Sequence, residues 1–344
     1  MNGSTPTTPR RHRIHRAPVI TAMVVALAMA GVATATAATP QVVARAGIAT
    51  RATGAHVHGA IRTITGTLTV PAGTTMTLAP GSHLRFTSGA RLVVQGTLRA
   101  AGTVTLDGSD WNGVVVAQRG SLDVANGTIS GATNAITVQA GAQATLDHVR
   151  ITGESSPFVV LPTGRLTLRH VTVARAQTQS TIDGTLHATA LDYNKGASEG
   201  ITALQGTARI TIVNSRLHGD GPNTGDMLSM RKGDALTVSN TEVTGAHCAF
   251  HIVGLRSLAL DHVNIHGNSY GFMMYETSKT GTKTIVNSNI VDNRDFGIDE
   301  GSRFNSNGPI TIRNTYIAHN GHDLALYTHA ITVVQPAAHA IAIP

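Results

Sequence analysis

The residues best placed to do chemistry lie on four short alternating segments: Leu228-Ser229-Met230, Phe250-His251-Ile252, Phe272-Met273-Met274 and Phe296-Gly297-Ile298-Asp299. If these are neighbouring strands with their large apolar residues inward, Ser229, His251, Met273 and Asp299 turn outward in one column. Neighbouring strands lie ~4.8 Å apart, so His251 and Asp299 are predicted roughly 10 Å apart across Met273. Arg231 and Tyr275 continue the same face, with Lys232 and Glu276 just beyond. Strict alternation would bury Glu300 unless the strand stops before it. His251, Tyr275 and Asp299 are therefore the candidate catalytic residues, and Arg231, Lys232 and Glu276 the candidate substrate-binding ones. A basic pair, an imidazole, a phenol and carboxylates can hold an acidic sugar and move a proton at the carbon α to its carboxylate. The same set also reads as the polar exterior that any folded chain must present.

Other pairings carry less. His247 and His251 stand four apart. On a helix they would share a face, but on a strand four residues span about 13 Å, too far for one ion bound at ~2 Å. Asp220 and Asp226 lie in a Gly-rich insertion, residues 219–226, with oxygens to offer Ca²⁺. No EF-hand or nonapeptide calcium repeat surrounds them, so a solvated loop is expected and no metal or cofactor is assigned. Phosphate-cradling glycine loops are absent. Cys248 is the only cysteine, which excludes an intrachain disulfide and reads as a small buried apolar residue.

What must position these residues is a repeat. Leu236-Thr237-Val238-Ser239-Asn240-Thr241-Glu242-Val243 returns as Leu258-Ala259-Leu260-Asp261-His262-Val263-Asn264-Ile265, again at Thr284–Ile290 and at Ile310–Ile317. An Asn or His marks each copy: Asn126, His148, His170, Asn214, Asn240, His262, Asn287 and Asn314, with Ala190 where a marker is expected. Alternation within each copy indicates strand, and no helical apolar stripe lies between copies. A period in the twenties suits three short strands per coil, and stacked coils bury an interior that a single coil could not. The predicted fold is all-β: a right-handed parallel β-helix over 61–335, its markers stacked at one corner as an amide ladder. Asp147-His148 and Asp261-His262 read as copies of the repeat with His in the ladder.

The opening coils, Gly66–Gly81, Leu92–Leu98 and Asp110–Val114, together with the later copies, resemble secreted bacterial right-handed β-helix proteins of the pectate-lyase-like superfamily. The resemblance covers about residues 61–330 and implies fold; this scaffold carries lyases, hydrolases, adhesins and proteins without activity. It also implies a packing role for Trp111. The Asn-Thr-Asp, Asp-Asp, Gly-His-Gly and Arg-Ile-Lys signatures of polygalacturonases are absent, so their paired-carboxylate hydrolysis is not expected.

The formal charge of +7 owes much to Arg10, Arg11, Arg13 and Arg16; without residues 1–37 it is 22 basic against 19 acidic, or +3. That is no footprint for nucleic acid. The basic start, the apolar run Ala17–Ala33 and Ala35-Thr36-Ala37 predict a cleaved secretory signal over 1–37, with an uncleaved anchor as the alternative. Residues 38–60 read as linker or N-terminal cap and 336–344 as a tail. The expectation is a secreted or envelope β-helix without catalysis, with extracellular polysaccharide as its candidate partner and no membrane after cleavage. The alternative is a polysaccharide lyase or other carbohydrate-active enzyme working on the outer face of the last coils.

Overall fold

A computed structural model of the chain describes residues 55–57, 61–302 and 306–343. Each repeated phrase bends at its marker. Gln143–Asp147 and Val149–Thr152 flank His148, and Arg209–Val213 and Arg216–His218 flank Asn214. The markers from His148 onward take left-handed backbone angles, with φ of 49° at His148, 50° at Asn214, 47° at Asn240 and 44° at Asn314. Asn and His are enriched in that conformation, which bulky residues avoid. Asn240 Nδ2 donates to Asn214 Oδ1 at 3.1 Å and Asn314 Nδ2 to Asn287 Oδ1 at 2.8 Å, so amides of successive coils are linked along the axis. Asn287 reaches Asp261 rather than His262, at 2.8 Å.

Two markers depart from the pattern. Asn126 sits beside His148 in register but does not take the left-handed backbone; the positive φ there falls on Gly127, at 158°. Ala190 keeps the left-handed corner, at φ 52°, with no amide to link.

Among the described residues the strand pairings are parallel, and each coil adds a strand to a second sheet, which has 12 strands there. The coil Gln143–Asp147, Val149–Thr152 and Ser156–Val160 shows the three-strand plan of a right-handed parallel β-helix. Register stacks like on like: Leu146 on Leu168, Val238 on Leu260, Ile285 on Ile312, all buried. The interior is thus one continuous apolar column, as coil stacking requires. Trp111 is fully buried, stacks on Phe86 at 4.2 Å and donates its indole N–H to Ser130 O at 2.8 Å.

Ala55–Val57, within the segment read as linker or cap, pairs with Thr75–Leu78. At the other end the tail folds back: Ile341 N donates to Asn289 Oδ1 at 2.8 Å. The expected signal, 1–37, lies outside the described residues.

Candidate functional site

The second sheet carries the column, but only His251 and Met273 reach the surface: Ser229 and Asp299, expected outward, are buried against their neighbours. Register aligns Ser229 with His251, His251 with Met273, and Met273 with Asp299. Of the three candidate catalytic residues, His251 and Tyr275 meet edge to face, ring centroids 5.7 Å apart. Asp299 stays two coils away and is turned to local use: its Oδ1 accepts the Gly301 N–H at 2.7 Å.

The carboxylate that holds His251 is Asp226. Its Oδ2 accepts from His251 Nδ1 at 2.6 Å, and its Oδ1 accepts from His247 Nδ1 at 3.1 Å and the Cys248 N–H at 3.2 Å. The expectation of a solvated loop is thereby corrected for Asp226, which is only 5% exposed. The insertion is pinned rather than free: buried Lys195 donates its Nζ to Thr224 Oγ1 at 2.7 Å, and Ser269 Oγ donates to Pro222 O at 2.7 Å. Asp220 pairs with exposed Arg175 at 2.6 Å. His247 and His251, four residues apart, converge because His247 precedes the strand Cys248–Val253 and the two oxygens of one carboxylate bridge the gap.

Burial opposes the charge on Asp226, but the hydrogen bonds from His247 and His251 outweigh it and hold the carboxyl well below its usual range. The Asp226 bond correspondingly raises the pKa of His247. Glu199, whose Oε2 accepts the Asp226 N–H at 3.2 Å, is pushed up by burial and by the Asp226 charge. Burial, then the charge of Asp299, pushes the Tyr275 phenol up to about 12, so it is protonated at neutral pH. Burial likewise raises the Cys248 thiol, which is inert as a nucleophile there. With Nδ1–H committed to Asp226, the neutral His251 ring keeps its lone pair on Nε2.

Among the candidate substrate-binding residues, Arg231 is exposed and its Nε donates to Ser229 Oγ at 3.2 Å. Lys232 and Glu276 are exposed at the strand ends, Glu276 in a left-handed turn at φ 49°. Glu300 follows the strand's last residue yet faces inward, its Oε2 accepting the N–H groups of Tyr327 and Thr328 at 2.7 and 2.8 Å.

Beside the column runs an aromatic stripe absent from the sequence reading. His247 lies 5.2 Å from Tyr270, Tyr270 5.4 Å from Phe296, and Phe296 4.8 Å from His322. Register stacks Tyr270 on Phe296 and Phe296 on His322, so the stripe follows the helix axis. The signal was present, since Tyr270, Phe296 and His322 begin strands and His247 stands just before one, but only register shows that they touch.

By fold, this is a right-handed parallel β-helix, and residues 199–335 match the family model described as the right handed beta helix region. No curated protein matches the sequence. A solved structure, that of the periplasmic alginate epimerase AlgG, is similar with a TM-score of 0.42 and 10% identity, over 77% of this chain and 76% of that one. At that identity and score the likeness says nothing about activity.

Proposed function

We propose that the chain is an exported protein that binds an acidic polysaccharide along the outer face of its second sheet and transfers a proton there through His251. The observation that carries this is the 2.6 Å bond from His251 Nδ1 to buried Asp226, with Tyr275 edge-on to the same imidazole. Asp226 fixes the ring and its tautomer, leaving Nε2 to take the proton α to a uronate carboxyl group. In this reading Tyr275, protonated, gives a proton to the oxygen that leaves the neighbouring carbon. The exposed cations Arg231 and Lys232 offset the sugar carboxylates. The stripe from His247 to His322 gives apolar ring edges along the direction a linear polymer would follow. Export rests on the basic and apolar N-terminal sequence.

The test offers purified protein several uronic-acid polymers, with and without Ca²⁺, and measures binding and the ultraviolet absorbance of new unsaturated ends. Asp226→Asn and His251→Gln should lower product formation by about 10²-fold or more while binding persists. Binding without product in the wild type would favour the non-catalytic reading. A His251, Tyr275 and Asp299 triple variant that binds and cleaves like the wild type would show that the site lies elsewhere.

A further inference from the structure

A second cluster of ligating groups lies on the other sheet, at the marker corner. Asp147 Oδ1 is 2.8 Å from His148 Nδ1 and 3.3 Å from His170 Nδ1. The two imidazoles stack across adjacent coils, centroids 4.3 Å apart. The three ligand atoms all lie within 4.8 Å of one another. We propose that Asp147, His148 and His170 bind a borderline divalent transition ion such as Zn²⁺, which clips two neighbouring coils together.

The separations of 2.8 and 3.3 Å are close to those between ligands sharing an ion with bonds of ~2.1 Å. Two imidazoles and one carboxylate suit Zn²⁺, Ni²⁺ or Cu²⁺ rather than Ca²⁺ or Mg²⁺, which take oxygen. All three side chains are accessible, His148 at 58%, so the stacked rings are free to tilt until both lone pairs point at the ion. Water or a solvent anion completes the shell. Arg169, the register partner of Asp147, is also exposed, and its charge keeps the affinity moderate.

The repeat supplies its own control. Asp261 and His262 form the same pair at 2.7 Å, but the next marker up is Asn287, whose amide bonds Asp261. That corner has one imidazole where the lower one has two, and it should not hold the ion. The Asn markers also provide a substitution that tolerates the left-handed backbone, since His148 and His170 both sit at φ 49°.

The experiment titrates chelator-treated full-length protein with Zn²⁺ alone, by calorimetry and by thermal melting. One ion per chain should bind with a micromolar dissociation constant and raise the melting temperature. His148→Asn and His170→Asn should each weaken binding about tenfold or more, with circular dichroism and the zinc-free melt confirming the fold. His247→Asn, at the Asp226 cluster, should leave zinc affinity unchanged. Absence of zinc binding by the wild type, equal binding by both Asn variants, or loss of binding in His247→Asn overturns the proposal.

Discussion

Glu154 gives the sharpest test of how this interior is built. It follows Gly153 at the turn into strand Ser156–Val160 and is fully buried. Neither carboxyl oxygen has a hydrogen-bond partner among the described residues. Burial pushes its pKa from 4.5 up to about 7. The folded state therefore holds the Glu154 proton more tightly than the unfolded chain does. Its contribution to stability is full below pH 4.5 and is lost as pH rises through about 7. At about 1.4 kcal/mol per tenfold, and allowing for partial solvent screening, the loss comes to about 2–3 kcal/mol. Glu154→Gln keeps the shape and removes the charge. The variant and the wild type should melt together at pH 4.5, and at pH 8 the variant should melt about 4–6 °C higher. Differential scanning calorimetry across that range reads the difference, and the titrating histidines cancel between the two proteins. If the two curves stay parallel from pH 4.5 to 8, Glu154 is solvated or partnered and the reasoning fails.

The marker corner predicts both signs of change. Ala190→Asn places an amide at φ 52°, where Asn214 Nδ2 can reach it, and should stabilise by about 1 kcal/mol in a denaturant melt. Asn287→Leu removes the bonds to Asp261 and Asn314 and should destabilise by about 1–3 kcal/mol; an unchanged midpoint would count against the ladder. Gly301→Ala puts a methyl into the Tyr275 ring at φ 71° and should lower any product formation about tenfold or more, read beside the His251 variants.

Alternation and the recurring Asn or His were enough to specify the fold, because both are local. A period of two says which side chain faces inward, and a residue that tolerates the left-handed corner says where the coil bends. That reading also put His251 and Asp299 in one column, which the register reproduces through Met273. Even the coil lacking its marker, at Ala190, kept its corner, since the hydrophobic pattern on either side imposed it. The site depended on something else. Asp226 belongs to an insertion with no periodicity, and its burial was settled by Lys195, Ser269 and Arg294, the last two 47 and 71 residues away along the chain from the loop atoms they bond. Alternation describes strands, so it could not say that this carboxylate, rather than Asp299, would reach His251. The aromatic stripe and the Asp147–His148–His170 cluster likewise exist only between coils. Residues 22 to 26 apart in sequence become neighbours through strand register, a property of the stacked chain that no single stretch contains.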